Sequence, residues 1–227
     1  MDEFRKDQAG EHIEENRIMP SVNIPLLAKW INVLFWLVIV VNVASLLTSE
    51  NVTNAAASIA FAGQIISIAA DVAYGVILLK IAYESFRYRS AAICCFITAG
   101  ISAVLIPVSD GTEFALAIPV VIVTIVIDMA GEYYEIMGHS DVLCDVDKAL
   151  SDKWIRLWKW YLGTFLGIIG GTVVAAIIPL IGMVIVLAST IGTFVVSVLK
   201  IIYIYKTAKA FRTLLPVSYT HLTLPTN

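Results

Sequence analysis

Asp71 interrupts a run of uncharged residues that starts at Asn51 and continues to Leu79, and Asp128 ends a charge-free stretch that begins at Phe114. Glu132 follows Asp128 by one helical turn and so shares its face, and Glu135 comes next. A carboxyl group in apolar surroundings has three chemistries open to it: it holds its proton, accepts hydrogen bonds, or binds a cation. Gly63, Ser67, Asp71 and Gly75 recur at four-residue spacing, which places them on one helical face and turns Asp71 toward protein rather than lipid. With Lys200 counted among the cations that close the last apolar segment, no Lys, Arg or His is left inside the segments to neutralise these acids. Gln64, Ser67, Tyr74 and Thr124 are the nearby polar groups. Asp71, Asp128 and Glu132 therefore form a candidate intramembrane proton or cation site. The plainer alternative is that Asp71 and Asp128 lie close enough to the membrane surface to be solvated.

Other residue types point to packing rather than chemistry. Gly163, Gly167 and Gly171 recur every fourth residue, with Gly170 beside them, and make a groove where a second helix backbone can approach. Together with Gly63 and Gly75 they are the expected helix-packing positions, either within the chain or between two protomers of a homo-oligomer. His139, Asp141, Cys144, Asp145 and Asp147 cluster in what reads as a loop, but their spacing matches no zinc or calcium pattern. No metal is expected, and Asp147 reads instead as a helix N-cap. Cys94 and Cys95 are adjacent in an apolar run and Cys144 stands apart, so no disulfide framework emerges. There is no Ser-His-Asp order, no His-Glu-x-x-His helix and no glycine-rich phosphate loop, so neither an enzyme nor a cofactor is expected. A net charge of −3 with dispersed cations gives no reason to invoke nucleic acid.

The elements that must position these residues follow from composition. Of 227 residues, 59% are hydrophobic and 15% charged, and the mean hydropathy is +0.86. A soluble domain carries roughly a quarter charged residues. The pattern predicts an all-α polytopic bundle with spans near 26–48, 56–79, 91–108, 114–136, 158–178 and 183–203, each long enough for a hydrocarbon core of roughly 30 Å. The charge-free stretch from Trp160 to Leu199 is too long for one crossing and breaks at Pro179-Leu180-Ile181-Gly182. The segment Lys148–Tyr161, mixing Leu, Trp and Lys, reads as an interfacial helix feeding span five. All fifteen Lys and Arg residues fall before span one, between spans two and three, between four and five, or at the end of span six. That distribution places both ends of the chain in the cytosol by the positive-inside rule. Trp30, Trp154, Trp158 and Trp160 suit an interfacial belt.

Residues 1–23 read as a polar cytosolic arm without signal-peptide features, and 24–215 as the membrane domain. Val217 to Thr226 is a translation of GTC TCT TAT ACA CAT CTG ACG CTG CCG ACG and looks like a transposase mosaic-end sequencing adapter. Pro216 to Asn227 is therefore expected to be non-native, with the natural chain continuing past Leu215. Lys29-Trp30-Ile31 recurs as Lys153-Trp154-Ile155, and Phe86-Arg87 recurs as Phe211-Arg212 at nearly the same offset, which suggests a duplicated two-helix unit.

Two function classes follow for such a protein in a bacterial-type plasma membrane. One is a small transporter or permease-like component moving a cation, a proton or a coupled solute past Asp71 and Asp128. The other is a non-transporting subunit or scaffold that binds a partner through helix faces and cytosolic loops. The partner common to both is the lipid bilayer.

Overall fold

The computed structural model describes residues 22–47, 57–105 and 114–215. Six helices account for nearly all of them: α1 (Ile24–Leu47), α2 (Ala57–Ile81), α3 (Phe86–Leu105), α4 (Phe114–Leu143), α5 (Lys148–Ile177) and α6 (Pro179–Thr213). Four of these, α1, α2, α5 and α6, are long and apolar enough to cross a membrane. The expectations for residues 1–21 and 216–227, and for the span ends that fall in 48–56 and 106–113, lie outside the described residues.

Each helix packs against its neighbours in sequence, and α6 packs back on α1, so the six close into a ring. One end of the ring gathers the start of α1, the α2–α3 turn, the α4–α5 turn and the end of α6. There the Asn23 backbone N–H donates to Glu84 at 2.8 Å, Ser85 Oγ donates to Asp141 at 2.9 Å, and Arg87 Nε lies 3.1 Å from the same carboxylate. Every Lys and Arg among the described residues lies in the half of its helix nearest this end or in the adjoining turns. The core concentrates here too, around Leu27, Ile31, Leu78, Ile81, Tyr88, Leu143, Trp154 and Phe211, all buried. The outer flanks are the reverse: Trp36, Phe61, Leu166, Val173, Leu180 and Phe194 are exposed. An apolar surface this continuous is unfavourable in water and suits lipid.

Several boundaries differ from those the sequence suggests. Helix α4 does not end near 136 but runs to Leu143, because Gly138 and His139 pack under Tyr88 and Trp154 and hold the last two turns in place. His139 is therefore a buried helical residue and not a loop residue. The segment 148–161 is no separate feeder but nearly the first half of a continuous 30-residue α5. Asp147 does cap it, accepting from the Leu150 N–H at 2.9 Å. At the hairpin, Ile178 alone breaks the chain, and Pro179 opens α6 at a position where its missing N–H is not needed. Gly182 lies inside α6 rather than in a turn; a Cβ there would collide with the Ala175 backbone, so the residue serves close approach of α5 and α6.

The suggested repeat finds no counterpart in the packing. Trp154 is fully buried while Trp30 is only partly so, and Phe211 is fully buried while Phe86 is exposed.

Candidate functional site: an acidic cavity inside the ring

Small residues bring α2, α3 and α4 together around the ring's interior. A Cβ at Gly75 would lie 3.0 Å from the Phe96 ring, and one at Gly131 would lie 3.1 Å from Cys94 Cβ. Gly63 is buried on the same helix as Gly75. The helices leave between them a cavity of about 480 Å³. Asp71 and Tyr74 line it from α2, Thr98 from α3, Asp128, Glu132 and Glu135 from α4, Tyr161 from α5 and Lys200 from α6. Asp71, Asp128 and Glu132, which lie on two helices far apart in sequence, thus face one space.

The acids are not equivalent. Lys200 Nζ reaches both Glu132 oxygens, at 2.8 and 2.9 Å, and Glu135 Oε2 at 3.1 Å. Three acceptor atoms match the three protons of an ammonium group. The Tyr74 hydroxyl donates to the other oxygen of Glu135. Glu132 and Glu135 are therefore held as a compensated pair around one cation. Asp128 receives only a neutral hydrogen bond, from Thr98 Oγ1 at 2.7 Å. Asp71 makes no hydrogen bond with a described residue and lies close enough to Asp128 for the two carboxyl groups to repel when ionised. If all four acids ionise, the cavity carries four negative charges against one positive. It has the electrostatics to hold protons or to attract a cation.

Lys200 corrects the expectation that no basic partner lies among these acids. Its placement has a legible cause, since Val196, Lys200, Ile204, Thr207 and Phe211 follow three- and four-residue spacing, and the other four are buried. Read with that face, Lys200 belongs inside the ring and not among the solvated cations at its end. The sequence marks Tyr74 only as a nearby polar group and Glu135 only as the acid after Glu132; the bond that joins them links residues far apart in sequence and has no local signature.

Beyond the cavity toward the basic end stands His139, fully buried. Its ring stacks on Trp154 at 4.6 Å with an angle of 21°, and Nδ1 lies 2.9 Å from the Tyr88 hydroxyl. Nε2 has no hydrogen-bond partner among the described residues and faces Glu135 Oε1 at 3.8 Å. The other loop acids are dispersed. Asp141 binds Ser85 and Arg87, and Asp147 caps α5. The exposed Cys144 thiol donates to Asp145 at 3.3 Å, and that carboxylate pushes the thiol up from its usual range, which disfavours the thiolate a metal would need. Among the described residues, no group of three or more His, Cys, Asp or Glu is placed to hold a metal ion.

The glycine face of α5 divides. A Cβ at Gly167 would strike Ser189, and one at Gly171 would lie 2.9 Å from Ile185 and Val186, so both serve the α5–α6 contact. Gly163 and Gly170 have no described residue within 4 Å of that position. Compared with known protein families, curated proteins and solved structures, the chain matches none.

Proposed function

We propose that this chain is a small transporter or permease-like membrane component whose interior cavity accepts a proton or small cation. The observation that carries the reading is the pair Asp71 and Asp128, which face one cavity and have no ion-pair partner among the described residues, while the neighbouring Glu132 and Glu135 share Lys200. Unpaired acids inside a membrane bundle are costly, and they are characteristic of ion and proton pathways. In this reading all six helices cross the bilayer, the basic end of the ring faces the cytosol, and the membrane is a bacterial-type plasma membrane. No catalytic chemistry is assigned.

The test is flux through purified protein in liposomes. A pH-sensitive dye trapped inside reports proton entry under an imposed potential, and rubidium uptake reports a monovalent cation. The wild-type chain is expected to conduct one of them, and Asp71→Asn with Asp128→Asn to lose it. Full flux in that double variant removes the reading.

A second reading, a non-transporting subunit, is favoured by Gly163, Thr164, Ala188, Ser189 and Gly192, which line a shallow groove on the outside of α5 and α6. Such a groove can seat the helix of a partner or of a second copy. Absence of flux together with a stable dimer in mild detergent would support it.

A further inference from the structure

The lining of the cavity is unbalanced in hydrogen-bonding capacity as well as in charge. Lys200 spends its three ammonium protons on Glu132 and Glu135, at 2.8 to 3.1 Å. The Thr98 hydroxyl donates to Asp128 at 2.7 Å, and the Tyr74 hydroxyl donates to Glu135. Ser197 Oγ donates to the Thr193 carbonyl at 3.0 Å, and Asn42 Nδ2 to that of Val38 at 2.8 Å. Lining donors from α1, α2, α3 and α6 are thus turned onto the protein itself. Asp71 accepts no hydrogen bond from a described residue, and Asp128 accepts only the one from Thr98. An occupant must therefore bring the donors. An anion, or the carboxylate end of an amino acid, would meet two uncompensated acids beside a lysine whose protons are already taken.

Size and lining separate an organic cation from an inorganic one. The cavity of about 480 Å³ falls within the range of roughly 300 to 1,000 Å³ typical of small-molecule sites, and one bare ion would fill little of it. An ion stripped of its water needs several oxygen ligands converging on one point. Among the described residues no group of three or more His, Cys, Asp or Glu converges in that way. The free acceptors stand instead on α2 and α4, while Val38 and Val41 of α1 add an apolar wall and Tyr161 of α5 an aromatic ring. Apolar and aromatic lining with a few polar groups is the usual makeup of a site for an organic ligand, and aromatic rings attract cations. A hydrated ion, which carries its own oxygens, gains nothing from the valines.

We propose that the cavity binds a small organic cation with several N–H donors, an alkylammonium or guanidinium group, held by Asp71 and Asp128 with its carbon part against Val38 and Val41. This rests on the reading of the cavity as a cation site and names the class of cation. A guanidinium presents its N–H groups as a planar fork that fits carboxylates bidentately, and an alkylammonium offers three protons. Either supplies what the lining lacks, a positive charge and donors in the same group.

Binding to the purified full chain in detergent is measured by titration calorimetry with n-propylammonium, methylguanidinium and tetramethylammonium in an amine-free buffer. Tetramethylammonium carries the same charge and carbon surface but no N–H. The first two are expected to bind at least tenfold more tightly than the third. Asp71→Asn and Asp128→Asn should each weaken them at least tenfold, with the thermal transition of unliganded Asp71→Asn not lowered. That pattern supports the assignment whether or not rubidium or protons also move. Equal binding of all three cations means that charge alone is read and overturns it. Binding that survives both substitutions does the same, because the ligand then sits elsewhere. Rubidium uptake and proton entry in liposomes are recorded in parallel. Flux of either ion that depends on Asp71 and Asp128, in a chain that binds neither N–H cation, overturns the organic ligand and leaves the cavity reading standing. A chain that binds neither and moves neither overturns both.

Discussion

The two sides of the cavity hold the same chemical group in opposite states. At Glu132 and Glu135 the carboxylates share an ammonium at 2.8 to 3.1 Å, and a tyrosine hydroxyl completes the shell. A few residues away, Asp128 has only a threonine hydroxyl, and Asp71 has no hydrogen bond to a described residue. The first side is built as structure: its charges cancel, and removing one member leaves the others exposed to the full cost of burial. The second side is left incomplete, and incompleteness is what a transient occupant requires. If both sides were structural, selection for stability would favour replacing Asp71 by a neutral residue of similar shape.

The strongest way to break this contrast is to remove the cation. Lys200→Met strands two carboxylates, of which Glu135 is almost fully buried. Breaking one partner out of a buried ionic group typically costs about 3 to 5 kcal/mol, and thermal unfolding in detergent should show a loss of that order. Adding Glu132→Gln and Glu135→Gln to Lys200→Met should recover most of it. A loss below about 1 kcal/mol, the range of exposed ion pairs, would show that Lys200 is solvated and that the two sides of the cavity do not differ in the way described.

Packing gives the next effect and serves as a control far from any charge. Gly182→Ala forces α5 and α6 apart against the Ala175 backbone and should cost about 1 to 3 kcal/mol, the usual penalty of overpacking. Gly163→Ala meets no described residue within 4 Å and should gain about 0.5 to 1 kcal/mol from the lower entropy of alanine. Equal effects at the two positions would mean that Gly163 is covered, as the subunit reading requires. Smaller again is Asp147→Ala, which removes the cap on α5 and should cost about 1 kcal/mol. Because α5 carries Trp154 against His139, this variant should also loosen the imidazole, visible as a change in tryptophan fluorescence.

The legible part of the molecule is the part governed by period and by lipid. Charge-free runs of helical length, the clustering of cations and the Asp147 cap follow from local rules, and all are found in the helices described. Asp71, Asp128 and Glu132 could be chosen because an acid among apolar residues is conspicuous wherever it falls. Lys200 was misplaced for the opposite reason. A lysine near the end of a span looks like an interfacial anchor, and only the buried Val196, Ile204 and Phe211 on the same face reveal that it points inward. His139 was assigned to a loop because it opens the polar stretch that follows the fourth apolar run, whereas Gly138 beside it admits Tyr88 and the helix continues. Long-range pairs such as Tyr74 with Glu135 have no local signature, since the closure of the ring brings them together.

The smallest effect on stability is the one that decides between the two sides of the cavity. Asp71→Asn keeps the size and hydrogen-bonding capacity of the side chain, and polar contacts between membrane helices average about 0.6 kcal/mol. Unfolding in detergent should therefore shift by no more than that, and upward if Asp71 and Asp128 repel each other in the wild type. Flux in liposomes should nonetheless fall at least tenfold, because the amide neither holds a transferable proton nor attracts a cation. Glu132→Gln should show the reverse pattern, a measurable loss of stability from weakening the Lys200 site together with retained flux. If the two variants behave alike in both measurements, the cavity is a single coupled network and its division into a structural and a functional side fails. If they separate as expected, the hydrogen bonds a carboxylate lacks become a better guide to its role in this protein than the depth at which it lies.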